Sequence, residues 1–467
     1  MTEYSTTETT MVTTSYYRKL SVTRHTMRNL EKRKREVCGM LFNCVISSRI
    51  IQFDLVCDKD ALKQLSKSLS SLGLLIGAIV FGQLAEICGR KKTFHIATTL
   101  TMIFAIAVSF TPTFTFFIVG QFLLAFSSSS IYQTSIVLGM EASPSSRRPL
   151  IGTACTFSYA IGYILLGMTA YFVQGDWRTL QFITGAICLF YLPYICFLEE
   201  SVRWLVQHGE AEKLEHMLIR ADTLNKSTME EHMINLHEMC SDFECGLCLQ
   251  NTEPVGHASV FALFKTPILR KRSVIIIINW FAFGLMYYGI SLNIDLFARD
   301  PYMIFVFTGF VEIPAGFFSG WLLARYGRRA TISVAMIVSG ITFLIGGVLS
   351  GVAAVLFTST VVAKFIAKMC ISGFPVYISE LVPTSVRAQV IAFARCSSFI
   401  GAIVAQYIMI SDTVWYLAPF LLIGIPSIVS GILLVLLPDT LDKTAPETIE
   451  DVEYPYECNS NGANMVS

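Results

Sequence analysis

The chain has 467 residues, 53% of them hydrophobic and 12% aromatic, only 15% charged, with a mean hydropathy of +0.58. So few charges do not suit a soluble globular protein, and a net charge of +1 leaves no basic surface for nucleic acid. Thirteen cysteines at irregular spacings do not describe a disulfide framework.

In chain order, residues 1–36 form a polar tail expected to be disordered, with no apolar core for a signal peptide. Residues 18–35 carry eight Lys or Arg against one acid, which favours a cytoplasmic N-terminus. A weak first helix is expected at about 37–56, where Arg49 and Asp54 interrupt the apolar run. Five clear spans follow near 70–86, 94–112, 115–138, 150–173 and 178–197, and six more near 273–293, 302–323, 331–350, 353–377, 389–411 and 416–437. Each run approaches the length that crosses a hydrocarbon core of about 30 Å. Lys and Arg fall on alternate loops, among them Arg90, Lys91, Lys92, Arg328 and Arg329, so that set is expected to be cytoplasmic.

The chain also repeats itself. Gly82, Gly89, Arg90 and Lys91 recur in the second half as Gly320, Gly327, Arg328 and Arg329. Glu141 and Arg148 recur as Glu380 and Arg387, and Glu200-Ser201 as Asp439-Thr440, all at the same offset to within one position. A common offset implies two similar helix bundles, as transporters use. The expected fold is therefore all-α and polytopic, with an N-terminal bundle at 37–197, a cytoplasmic connector at 198–272, a C-terminal bundle at 273–438 and an acidic cytoplasmic tail at 439–467.

The glycines at 82 and 89 are expected to let helices approach and turn sharply in a two- or three-residue connection, with Glu86 latching to Arg90. The second copy has Ala324 in place of the acid. At membrane depth, where ionisable groups are costly and turn towards protein or water, stand Glu312, Lys364, Lys368 and Arg395. Glu312 with Lys368 reads either as charge recognition or as a structural pair, and Arg395 either as cavity lining or as a side chain reaching back to the surface. Tyr132, Trp280, Tyr287, Tyr288 and Phe374 are candidates to stack on a flat or cationic substrate.

Gly82-Gln-Leu-Ala-Glu-Ile-Cys-Gly-Arg-Lys-Lys92 resembles the loop signature of the major facilitator superfamily. Glu200-Ser-Val-Arg-Trp-Leu205, Tyr287-Tyr-Gly-Ile-Ser-Leu-Asn293, Glu380-Leu-Val-Pro-Thr-Ser-Val-Arg387 and Leu437-Pro-Asp-Thr are similar to its organic cation and anion transporters. That resemblance implies twelve helices as two six-helix bundles, a substrate cavity near the midplane and alternating access by rocking. It also implies a conformational role at the basic loops for Gly82, Glu86, Gly89, Arg90, Glu141, Arg148, Glu200, Arg203, Gly327, Arg328, Glu380 and Arg387. The family position that tends to be acidic for cations and basic for anions or zwitterions holds Phe399 here, with Arg395 one turn away, so the substrate stays open between a cation, an anion, a zwitterion and a neutral compound. The long extracellular loop of that family is absent. Sugar transporters share the Glu-Ser-x-Arg-Trp element, and a non-transporting receptor or degenerate relative is the other alternative.

The expected partners are a small organic ion and the lipid bilayer. No phosphate-binding glycine loop or nucleophile elbow is present, so neither enzyme activity nor a cofactor is expected. Cys245-x-x-Cys248 lacks a second ligand pair at zinc spacing, and no metal is expected.

Overall fold

Two glycines decide where the basic-end turns fall, and they do so with one residue each. The computed structural model describes residues 60–141, 148–173, 176–191, 193, 197–225, 266–294, 301–383, 387–408, 411 and 415–440. In chain order the first half contributes α1 (Asp60–Cys88), α2 (Arg90–Ser109), α3 (Phe114–Glu141), α4 (Arg148–Phe172) and α5 (Trp177–Ile187). Two short helices follow, α6 (Val202–Gln207) and α7 (Ala211–Asn225). The second half gives α8 (Pro267–Ile294), α9 (Pro301–Tyr326), α10 (Arg328–Val348), α11 (Ala353–Leu381), α12 (Arg387–Ile408) and α13 (Ala418–Leu434). Gly89 alone joins α1 to α2 at φ +101°, and Gly327 alone joins α9 to α10 at φ +86°. Only a residue without Cβ takes that conformation freely. The connection expected to span two or three residues is thus a single glycine in both halves.

Among the described residues there is no strand, and eight helices are long and apolar enough to cross a membrane. The eleven spans read from sequence each find a helix, with shifted ends. α1 starts at Asp60 and α8 at Pro267, ahead of their apolar runs. A proline in the first helical position costs α8 nothing, because that N–H would have no intrahelical partner. The run at 178–197 behaves differently: α5 ends at Ile187 and tightens into a 3-10 turn at Cys188–Tyr191. Pro193 follows in sequence, and a proline disfavours helical geometry in the residue before it. The other end of α5 is capped by Asp176, whose carboxylate accepts from the Arg178 amide at 3.0 Å and from the Thr179 hydroxyl. The weak helix expected at 37–56, and most of the connector and the acidic tail, lie outside the described residues.

The halves meet through α1 against α12 and α4 against α9. At the offset of the repeat α1 corresponds to α9 and α4 to α12, so each contact is the pseudo-symmetric image of the other. Gly309 permits the second contact, since a Cβ there would lie 2.5 Å from the Ile164 side chain and 3.0 Å from the Ala160 carbonyl. In the first contact, Ser68 donates to Gln406 at 3.1 Å and Gln406 donates to Ser71 at 2.9 Å. Within the second half α8 is central, packing on α11, α12 and α13. Its apolar residues build two buried clusters, one around Phe283, Phe374 and Tyr377 and one around Met286, Phe343 and Ile423. A helix apolar on all sides is expected in such a position.

Candidate functional site

Glu312 lies halfway along α9 and is 1% exposed. An ionised carboxylate at that depth needs partners, and neighbouring helices supply them. Tyr287 of α8 donates its hydroxyl to Oε1 at 2.6 Å, and Lys368 Nζ of α11 lies 3.1 Å from Oε2. The lysine therefore faces Oε2 as a buried ion pair. Pro314, two positions along α9, withdraws one backbone donor from the same stretch.

Lys368 is packed between rings as well as against the acid. Its Nζ is 4.8 Å from the centroid of Tyr159 and 5.9 Å from that of Tyr287, while Lys364 Nζ, one turn earlier on α11, is 5.5 Å from Tyr287. Tyr288 stands edge-on to Tyr287 at 5.4 Å. On α12 the Arg395 guanidinium is 5.4 Å from the ring of Tyr132 on α3, and the Tyr132 and Tyr159 rings lie 6.3 Å apart. The second half therefore supplies the charges, and the first half supplies aromatic faces that meet two of them. Such contacts are worth about 0.5–2 kcal/mol each, rising with desolvation.

Of the candidates read from the sequence, Glu312, Lys368, Tyr287, Tyr288, Tyr132 and Arg395 are joined in the structure by a continuous chain of contacts that passes through Tyr159. Phe399 is buried one turn beyond Arg395, and no ring contact among the described residues joins it to the others. Trp280 and Phe374, offered as stacking residues, instead pack on Phe283 in the core of the second half, at 5.9 Å from one another. Tyr159 and Tyr163 of α4 were missed, although their rings are 5.3 Å apart and Tyr159 is 40% exposed beside the buried charges. Their i, i+4 spacing in mid-span was the available signal.

At the basic end the repeat becomes a pair of matching networks. Glu200 accepts from the amides of Arg90 and Lys91 at 2.8 and 2.9 Å, satisfying the N-terminus of α2 with a full charge. Ser201 donates to Glu141, and Arg90 Nε lies 3.5 Å from the same carboxylate. In the second half the Arg328 guanidinium reaches Glu380 at 3.0 Å, Thr440 donates to Glu380 at 2.6 Å, and the Asp439 carboxylate lies against Gly327. Glu86 does pair with Arg90 at 3.2 Å, as expected, and its carbonyl accepts from Trp204 at 2.9 Å. What both halves share, however, is the arginine paired to the acid at the end of the helix after its own, which explains how Ala324 is tolerated.

Gly82 does not act as expected: a Cβ there would meet nothing within 4 Å, because its face of α1 is open. Gly89 does, since a Cβ would sit 2.4 Å from the Glu200 carboxylate. Arg148 and Arg387 open α4 and α12, and Arg203 lies in α6; their side chains fall outside what the structure describes. No group of three or more metal-ligating side chains occurs among the described residues, and the Cys245 to Cys248 segment is not among them.

The family model described as "sugar (and other) transporter" matches residues 9–448. Organic anion transporter 3 of Oryctolagus cuniculus is 29% identical over 419 residues, covering 89% of this chain and 76% of that protein. The organic cation transporter protein of Drosophila melanogaster is also 29% identical, over 420 residues, covering 87% and 74%. Among solved structures, the inward-open xylose transporter XylE from E. coli superposes with a TM-score of 0.65 at 16% identity, covering 90% of this chain and 98% of that one. The proton:xylose symporter XylE bound to 6-bromo-6-deoxy-D-glucose gives 0.64 at 17%, covering 90% and 97%. At such identities the structural likeness speaks for the major facilitator fold alone.

Proposed function

Because the chain belongs to the sugar (and other) transporter family, and its relatives include organic-ion carriers, we propose that it moves small organic ions by alternating access and prefers anions. One observation carries the preference. Lys368 and Arg395 both reach the cluster of rings around Tyr159 and Tyr132, against one acid, Glu312, among the described residues. An excess of positive charge in a low-dielectric site is offset most readily by an anionic substrate. Glu312 then holds Lys368 in the empty carrier, and a substrate carboxylate or sulfonate competes for it. Tyr287 and Tyr159 present flat faces for whatever the anion is attached to.

The basic loops face the cytoplasm in this reading, which the alternation of Lys and Arg supports. The connector at 198–272, the acidic tail at 439–467 and the basic segment at 1–36 then lie on the same side, with the chain in the plasma membrane. The two arginine–glutamate networks act as conformational latches, since Glu200 and Asp439 tie the segment after each half to its one-glycine turn, at Gly89 and Gly327.

Uptake by cells expressing the full chain tests the assignment, with labelled aromatic carboxylates, quaternary ammonium ions, carnitine-like zwitterions and hexoses as the panel. Accumulation of carboxylates above mock-transfected cells, at least about tenfold over ammonium ions, is the expected result. Preferential uptake of ammonium ions or hexoses would overturn the anion preference. No accumulation of any compound would favour a non-transporting relative.

A further inference from the structure

α1 begins with a polar stretch, Ser66, Ser68, Ser70 and Ser71, that a lipid-facing helix does not need. Two of these serines, Ser68 and Ser71, are buried at 6% and 7% exposure, and both bond to the side chain of Gln406 from the other half. Ser68 belongs to the early turns of α1, whose far end is the basic turn, and Gln406 to the last turn of α12, which starts at the basic end. At about 1.5 Å per residue the contact stands about 30 Å from the basic turns, at the opposite end of the halves. Gln406 uses both ends of its amide, Oε1 accepting from Ser68 and Nε2 donating to Ser71.

We propose that Gln406 is a positioning residue for transport: a clasp that holds the two halves together at the end opposite the basic loops and must release for that end to open. The chemistry suits a reversible clasp. Ser68 and Ser71 also have local alternatives, because each hydroxyl lies within hydrogen-bond distance of its own helix, at the carbonyls of Gln64 (2.9 Å) and Lys67 (3.2 Å). When the halves part, the Ser68 hydroxyl turns to donate to Gln64 and the Ser71 hydroxyl goes on donating to Lys67, so neither serine is stranded. Gln406 alone exchanges its two bonds for water entering the opened end. A neutral amide makes that exchange at low cost, whereas a buried ion pair at the same place would resist separation. The contact is therefore strong enough to bias the closed state and weak enough to be broken in each cycle.

The experiment reads conformation without needing a substrate. A cysteine replaces Tyr159, which is exposed at the level of the central charges, in the full chain with and without Gln406→Leu. A membrane-impermeant maleimide is applied to intact cells in one arm and to inverted vesicles in the other, with labelling of the native cysteines measured in the chain that keeps Tyr159. The expected result is about tenfold faster labelling from the outer face in Gln406→Leu, with slower labelling from the inner face. Ser68→Ala with Ser71→Ala should shift the pair of rates the same way, and Ser68→Thr, which keeps the hydroxyl, should leave them as in the parent. Unchanged rates from both faces would overturn the clasp. Faster labelling from both faces would also overturn it, since that reports loosened packing and not a shift between two states. The clasp's outward placement rests on the orientation proposed above, and the arms separate the two: reciprocal changes with the faces exchanged refute the orientation and keep the clasp. Absence of uptake by the parent chain would refute the carrier reading and leave the labelling result standing.

Discussion

At the scale of single residues, the Glu312–Lys368 pair decides most. Removing one member leaves the other as an uncompensated charge at under 10% exposure, a loss of about 3–5 kcal/mol, while replacing both by groups of similar shape is close to neutral. Glu312→Gln should therefore lower the thermal midpoint of the purified protein, and the double variant Glu312→Gln with Lys368→Met should recover most of it. Uptake should not recover, because the double variant no longer presents the exchangeable charge. A double variant as unstable as the single would mean that Lys368 has a stronger partner than the acid. Both residues were legible in the sequence as ionisable groups inside apolar runs. Their mutual distance was not, since the pairing joins two separate helices, α9 and α11, whose rotation about their own axes only packing fixes.

At the scale of elements, the one-residue turns carry the argument. Gly89 must hold φ +101° and leave room for the Glu200 carboxylate, so Gly89→Ala faces about 1–3 kcal/mol of backbone strain and also pushes Glu200 away from the amides of α2. Gly82→Ala places its methyl in open space inside a helix and should be neutral or stabilising by up to about 1 kcal/mol. Thermal midpoints of the two variants measured side by side check this: a larger loss at Gly82 than at Gly89 would show that the open face of α1 is occupied in the protein as purified. The sequence pattern treats these two glycines alike, because both recur in the second half. Only φ and the neighbouring carboxylate separate them. Helix ends were misjudged for a similar reason. Hydropathy marks where the apolar run stops, and α1 and α8 continue past it because a helix does not end where polarity begins.

At the scale of the whole molecule, function depends on two halves that touch closely without fusing. Gly309 sets the approach of α9 to α4, and Gly309→Leu would drive a side chain into the Ala160 carbonyl and Ile164. Both halves keep their own cores in that variant, so folded protein should still be recovered in quantity, with uptake falling at least about tenfold because the waist cannot close. Normal uptake by Gly309→Leu would show that α4 and α9 separate further during the cycle than this conformation suggests.

The sequence by itself determined the class and the architecture. Hydropathy, loop charge and the constant offset between the two halves report what every position of a span or a repeat shares, and such averages survive without coordinates. It also named most of the charged and aromatic candidates, because each is an exception to its surroundings. What the tertiary structure decided is which exceptions meet: that Lys368 lies between Glu312 and Tyr159, that Trp280 and Phe374 serve the core, and that Ser68 and Ser71 find Gln406 across the halves. A residue's depth along a helix can be counted from the chain. Its direction around the axis follows from which neighbour the helix packs against, and that is a property of the assembled bundle.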